Sequence, residues 1–64
     1  MHESHYFIKK PKNGVDFKVL QNDGSWDNTL GDGIWFRSRI KAEKYIEENY
    51  KDDDVAVVEV WCQI

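Results

Sequence analysis

The fold is decided by residues 36–50, which read FRSRIKAEKYIEENY. Several of these residues recur at the i, i+3, i+4, i+7 and i+8 spacing that lines one side of a helix: Ala42, Tyr45, Ile46, Asn49 and Tyr50. Ser38 can accept hydrogen bonds from the free amide groups at the start of such a helix. Carboxylates at 52–54 would oppose the helix dipole, so the helix should end before them. The sequence therefore predicts one helix over about 38–50 with a single apolar face.

Ile40 is the odd residue of this helix, because it lies nearly opposite Ala42 on the helical wheel. Two interpretations stay open. Either Ile40 contacts a partner, beside Arg37, Arg39 and Lys44, or it packs under the first helical turn against the edge of the sheet.

The segments before the helix favour β-structure. Residues 5–10 are aromatic and β-branched, and residues 11–14 form a turn in which glycine can take a positive φ. Residues 14–20 alternate apolar and charged side chains, which predicts a strand that buries Val15, Phe17 and Val19. A hairpin turn at 22–24 leads to a return strand from about residue 25, and residues 34–36 can add a short strand before the helix.

The segment after the helix, residues 55–61, is almost continuously apolar, which is typical of a strand in the middle of a sheet. A helix between two strands usually forms a right-handed crossover, so we expect this strand to run parallel to a neighbour. With the helix on one face only, the other face stays open. We expect Val55, Val57 and Trp61 on that open face, and Val58 in the core with Ile46.

These elements predict an α+β fold of one domain, residues 1–64. Its order is β-β-β-α-β, with a mostly antiparallel sheet of three to five strands and the helix on one face. A chain of 64 residues buries only about 60% of the surface that it exposes when unfolded. We therefore expect most of its three tryptophans to fill the core, with Trp61 as the exception.

Composition disfavours several classes of protein: secreted, membrane-associated and nucleic-acid-binding. The single cysteine, Cys62, cannot form an internal disulfide, whereas small secreted domains usually need several, so a cytoplasmic protein is expected. The chain has no apolar run of 18 residues and no signal-peptide pattern at 1–5, so no membrane association is expected. A formal charge of −3 disfavours binding to phosphate backbones.

Charge is nevertheless unevenly distributed along the chain. Basic residues concentrate in 9–18 and 37–44, and acidic residues in 47–59. A nucleic-acid-binding alternative would use these basic residues: Lys9, Lys10, Lys12, Lys18 and Lys41 with the remainder of the 37–44 patch.

No pattern indicates catalysis, a metal or another cofactor. His2, Glu3, His5 and Cys62 match no zinc-site spacing, and the acidic run at 52–54 lacks the alternation of a calcium loop. The serines, histidines and cysteine fall into no nucleophile–base arrangement, and no phosphate-binding glycine loop precedes the helix. The sequence therefore predicts a protein that is not an enzyme.

Two stretches carry a resemblance to known proteins. Asp23-Gly24-Ser25-Trp26 and Ile34-Trp35-Phe36-Arg37-Ser38, followed by Ala42 and Tyr45, resemble three-strand-plus-helix DNA-binding domains, such as the plant ethylene-response type and the arm-site domains of tyrosine integrases. The resemblance covers about half of the chain and implies DNA recognition by the sheet. The acidic charge and the extra C-terminal strand depart from that pattern, so no DNA-contact residue is carried over. A small acidic β-β-β-α-β protein that is rich in tryptophan and has no motif also resembles the accessory proteins of bacteriophages and mobile elements.

The leading hypothesis is a small protein-binding module, for example a phage-type modulator of a host protein. Its partner is another protein, and the expected contact residues are Trp61, Val57, Val55, Ile40, Arg37, Arg39 and Lys44. The alternatives are the nucleic-acid binder described above and a self-assembling subunit, for which a homodimer is the simplest form.

Overall fold

One antiparallel sheet of five strands carries a single helix. The computed structural model describes residues 2–63 and, at positions 2, 62 and 63, the backbone alone. The elements are β1 (His2–Lys10), β2 (Lys18–Leu20), β3 (Trp26–Asp27), β4 (Trp35–Phe36), α1 (Arg39–Asn49) and β5 (Ala56–Gln63). The predicted α+β class is confirmed, and the additional short strand before the helix is present as β4.

The longest strand, β1, lies at the centre of the sheet. On one side it pairs with β5 over eight residue pairs, from His2↔Gln63 to Lys9↔Ala56. On the other side it pairs first with β4 and then with β2, which lie end to end along the same edge. The expectation that the last strand would run parallel to its neighbour is wrong, because β1 separates β4 from β5 and pairs antiparallel with both.

The chain between β2 and β4 forms β3, which pairs antiparallel with β2 at the edge of the sheet, and then returns to the end of β2. We call residues 21–33, which include β3, the excursion. Its two ends meet at an antiparallel bridge between Gln21 and Gly33, and the Ile34 amide donates to the Leu20 carbonyl over 2.9 Å. The buried Gln21 amide nitrogen, Nε2, donates to the carbonyls of Val19 and Thr29, each over 3.0 Å, and so fixes the loop against β2.

The second strand is shorter than its alternating pattern predicts. Residues 14–17 are not in a strand, and Val15 is 92% exposed although the pattern placed it in the core. The reason is the partner strand. β1 ends at Lys10, opposite Lys18, and Pro11 has no amide hydrogen with which to continue the ladder.

Helix α1 begins and ends as predicted. The Ser38 side chain accepts a hydrogen bond from the Lys41 amide over 3.2 Å, and the Tyr50 amide donates to the Ile46 carbonyl over 2.7 Å. Asn49, which was expected on the apolar face, is exposed. Ile40 is 77% exposed, so the interpretation in which it packs under the first turn is wrong.

The core lies between α1 and the face of the sheet that we call the helix face. Its buried members, Ile8, Leu20 and Val55, pack against half-buried side chains from the helix and the sheet: Trp26, Ile34, Phe36, Tyr45, Ile46 and Tyr50. The Trp26 ring meets the Tyr50 ring edge-on at 5.8 Å, so this tryptophan has the core position expected of it.

The register reverses the expected faces of β5. Residues directly opposite one another in an antiparallel pair share a face. Val57 lies opposite the core residue Ile8 and so points to the helix face, whereas Val58 lies opposite Phe7 on the other face, which we call the reverse face. The expectations that Val55 and Val57 line the open face and that Val58 joins the helix-side core are therefore wrong.

The reverse face is only partly open. Phe7 is 3% exposed there because the excursion lies against its ring: a Cβ atom added at Gly33 would sit 3.0 Å from two of its ring carbons. Residues 21–33 therefore cover part of the reverse face, which the sequence predicts to be open. The half-buried Val58 and Val60 lie farther along the same face.

Candidate binding surface

The outer edge of β5 is the longest unpaired strand edge in the described part of the chain. β5 pairs with β1 alone, and no backbone hydrogen bond joins it to another described segment. Every second residue of an edge strand directs its N–H and C=O groups away from the sheet, where they can pair with another chain. Natural edges are usually protected by lysine, proline or a bulge. The β5 sequence AVVEVWCQ has neither lysine nor proline, and its pairing with β1 runs without interruption.

A polar and aromatic cluster lies beside this edge on the helix face. Glu59 Oε2 accepts hydrogen bonds from Ser4 Oγ over 2.5 Å, from the Trp61 indole Nε1 over 3.1 Å and from the Tyr6 hydroxyl over 3.5 Å. The Arg39 guanidinium lies 5.5 Å from the centre of the Tyr6 ring. Trp61 is 70% exposed, as the sequence predicted, but it lies on the helix face, so the expectation that it lies on the open face is wrong.

The charge of this cluster is fixed at neutral pH. The Ser4 hydrogen bond is the largest influence on the pKa of the Glu59 carboxyl and lowers it. Desolvation raises that pKa, and the contacts with Trp61, Arg39 and Tyr6 lower it further. The net effect is a pKa below its ordinary value, so Glu59 presents an ionised carboxylate beside an exposed indole.

A second cluster lies on the reverse face at the same end of the sheet. The His5 and Trp35 rings stack 3.9 Å apart, with 14° between their planes. Glu3 joins them to Arg37, because one carboxylate oxygen lies 3.1 Å from His5 Nε2 and the other 3.0 Å from Arg37 Nη1. The Arg37 guanidinium also lies 5.7 Å from the Trp35 ring centre, and Trp35 is 41% exposed.

The seven predicted contact residues lie on several different parts of the molecule. Trp61 borders the β5 edge and Arg39 lies beside Tyr6, whereas Arg37 belongs to the reverse-face cluster. Val55 and Val57 are part of the core side, and Lys44 and Ile40 are exposed on the helix. The structure thus brings Arg39 together with Val55 and Val57 in one groove, and Arg39 and Trp61 both to Glu59, but it does not bring all seven residues together. Whether any of them contacts a partner stays a prediction.

The residues missed at the sequence level are Glu3, Ser4, His5 and Glu59. Residues 2–5 have no apolar alternation that would mark a strand, so the pattern started β1 at residue 5 instead of residue 2. The cross-strand pair Ser4↔Trp61 depends on a register between residues far apart in the chain, which no local pattern encodes.

The residues of the nucleic-acid alternative are divided between the loop and strands at one end of β1 and helix α1, with Lys12 and Arg39 lining one groove between them. Lys9 and Lys10 place their ammonium groups over the rings of Phe17 and Trp26, 5.3 and 5.5 Å from the ring centres. The Lys12 amide donates to Asp54 in the acidic loop. Lys41 lies apart from them on the exposed side of α1, and Lys18 lies opposite Lys10 in the ladder.

In residues 2–63 no three histidine, cysteine, aspartate or glutamate side chains that the structure describes come together as a possible metal site. The side chains of His2 and Cys62, which the sequence analysis considered and set aside as zinc ligands, lie outside the described ones. The helix in this part of the chain is too short and too polar to cross a membrane.

Comparisons with family models, with curated proteins and with solved structures returned no significant match.

Proposed function

We propose that this protein is a non-enzymatic, cytoplasmic protein-binding module that adds an extended segment of another protein to the outer edge of β5. The observation that carries the proposal is the eight-residue strand β5, which pairs with β1 along one edge and, in the described part of the chain, with no strand along the other. In strand addition, backbone hydrogen bonds supply affinity, and alternate side chains beside the edge supply specificity.

The side chains beside the edge support such a mode of binding. Trp61 stands on the helix face, and Val58 and Val60 stand on the reverse face. An added strand would therefore lie against an exposed indole on one side and against β-branched side chains on the other. Exposed tryptophan is common at the energetic centre of protein interfaces.

Charge favours a protein partner with basic side chains near Trp61. The Glu59 carboxylate is ionised at neutral pH, and it is the only charged residue of β5. A lysine or arginine of the added strand, opposite Glu59 or diagonal to it, would lie within the distance at which opposite charges attract across a ladder.

Chemical synthesis allows a test that leaves every side chain unchanged. A chain of 64 residues can be assembled with one N-methylated amide. Methylation of an outward amide of β5 removes a donor and places a methyl group in the path of an added strand. The matched control carries the methyl group at Asn13, an exposed loop residue. We expect the β5 variant to lose capture of its partner from a cell lysate and the Asn13 variant to retain it.

Several results would contradict this proposal. One is equal capture by the two methylated chains, and another is no stoichiometric protein captured at any salt concentration. Loss of capture in Ile40→Lys, with capture retained in the β5 variant, would place the contact on the helix instead. If capture follows the proposal, the identity of the captured protein decides whether the module is a phage-type modulator of a host protein.

The unmodified and methylated chains also test the two alternatives, self-association and nucleic-acid binding. Sedimentation at two concentrations reveals a second copy on the edge, because self-association depends on concentration and the β5 methyl group would abolish it. A nucleic-acid binder would instead shift an oligonucleotide on a gel with an affinity that falls steeply as salt rises. Nucleic-acid binding is the less favoured alternative, because the chain is acidic and its basic residues are divided between the sheet and helix α1.

A further inference from the structure

A groove at the opposite end of β1 from Trp61 combines apolar walls with positive charge. It lies between the loop that follows β1 and the excursion, and its volume is about 560 Å³. Its principal walls are Lys10, Val15, Asp16, Phe17, Lys18 and Leu30. Sites for small organic ligands commonly have volumes of roughly 300 to 1,000 Å³.

The apolar walls are unusually open to solvent. Val15 is 92% exposed and Leu30 is 41% exposed, and Phe17 between them is half-buried. Val15 and Phe17 come from one loop and Leu30 from the excursion, so the groove has apolar side chains on both sides. A ligand with an apolar body would remove this surface from water, which is favourable in proportion to the area covered.

Two lysines face each other in the same groove. Lys10 and Lys18 are directly opposite in the β1–β2 ladder, a position in which like charges repel. Among the described residues the Lys18 ammonium group has no hydrogen-bond or ion-pair partner, and the Lys10 ammonium group lies over the Trp26 ring. Asp16 is the only acidic residue among the described walls, which therefore carry a net positive charge in a chain whose formal charge is −3.

We propose that this groove binds a small organic anion with an apolar body, such as an aryl or alkyl carboxylate or sulfonate. The anionic group lies between Lys10 and Lys18 and relieves their repulsion, and the apolar body lies along Val15 and Leu30. Nucleic acid fits less well, because the Lys9 ammonium group already covers the Phe17 ring on which a base would stack. This inference is independent of strand addition at β5.

A pair of fluorescent probes tests the two parts of the site separately. Anilinonaphthalene sulfonate carries an anionic group, and N-phenyl-naphthylamine is the same aromatic amine without it. We expect the sulfonate to bind with one-to-one stoichiometry and to shift the amide NMR signals of residues 15–18 and 28–30. Lys18→Gln should weaken sulfonate binding by about five-fold and leave binding of the uncharged probe unchanged.

The matched control is Lys44→Gln, which removes the same charge from an exposed position on α1. It should leave both affinities unchanged. Val15→Ser should weaken the binding of both probes, because it removes apolar surface from the groove and leaves its charge unchanged.

Equal loss of sulfonate affinity in Lys18→Gln and Lys44→Gln would overturn the proposal, because net charge alone would then explain binding. Signal shifts centred on another surface, or an affinity that does not change in Lys18→Gln, would overturn it as well.

Discussion

At the scale of single residues, close contacts decide what each position tolerates. Gly33 is buried with a φ outside the positive range, so its requirement for glycine comes from the neighbouring Phe7 ring. A Cβ atom there would sit 3.0 Å from two ring carbons, and Phe7 is itself 3% exposed and unable to move into solvent without cost. This contact holds the excursion against the reverse face.

Gly33→Ala is expected to lower the free energy of unfolding by about 1 to 3 kcal/mol, because the added methyl group overpacks the Phe7 site. Gly31→Ala is the control, since its nearest neighbour would be Thr29 Oγ1 at 3.8 Å, an ordinary contact distance. Urea unfolding of both variants measures the difference. Equal stability of the two variants would contradict the packing of the excursion on Phe7.

The hydrogen bonds to Glu59 predict how its pKa responds to substitution of their donors. Ser4 is the largest cause of the lowered pKa of Glu59, so Ser4→Ala should raise that pKa toward its ordinary value. Trp61→Phe should raise it less, because its hydrogen bond is the smaller cause. An NMR titration of the Glu59 side-chain carbon measures both changes, and an unchanged pKa in Ser4→Ala would show that the hydrogen bond is absent.

The same lowered pKa has a consequence for stability. A carboxyl whose pKa is lower in the folded chain stabilises it above the unfolded-state pKa, and that contribution is lost as pH falls through the folded-state pKa. In Ser4→Ala the folded-state and unfolded-state pKa values of Glu59 lie closer together, so this contribution should be smaller than in the unsubstituted chain and its loss should be complete at a higher pH.

At the scale of elements, helix α1 depends on packing more than on its own charges. Its first turn contains no acidic residue and its last turn no basic one, so the side-chain charges do not complement the helix dipole. An isolated helix of 11 residues is marginal in water in any case. The apolar side chains that face the sheet must hold it in place.

Ile46 and Ile40 provide a matched pair on the two sides of this helix. Ile46 packs against the core cluster, whereas Ile40 is 77% exposed. Ile46→Ala should lower the free energy of unfolding by about 2 to 4 kcal/mol, and Ile40→Ala should change it by about 0.5 kcal/mol or less. Urea unfolding monitored by circular dichroism compares them; equal losses would mean that the packing face of α1 is misplaced.

Some elements could be predicted from the sequence because their signals are local. The Ser38 cap, the apolar spacing of the helix and the glycine turns at 14 and 24 need only neighbouring residues, and both glycines have a positive φ. The length of β2 was not predictable in this way, because it depends on where its partner strand ends.

The faces of β5 could not be read from the sequence for a related reason. Residues 55–58 are all apolar, so no alternation distinguishes the helix face from the reverse face. The register with β1 decides between them, and only a long-range pairing fixes that register. Trp61 was correctly expected to be exposed, although on the opposite face, because the helix does not extend over it.

At the scale of the whole molecule, the two ends of the sheet differ in character. One end carries the Glu59 and Glu3 clusters with their exposed tryptophans, and the other carries the groove beside Lys10 and Lys18. The outer edge of β5 runs along one side of the sheet. The two proposed sites therefore lie on opposite sides of β1, the edge on the β5 side and the groove on the β2 side, and residues of one can be changed without changing residues of the other.

Amide hydrogen exchange along β5, followed by NMR in a dilute monomeric sample, tests the open edge most directly. We predict that protection alternates along the strand, because every second amide donates to β1 and the others face solvent. Uniform protection of all β5 amides in the monomer would show that the edge is already covered, and it would contradict strand addition as the function of this protein.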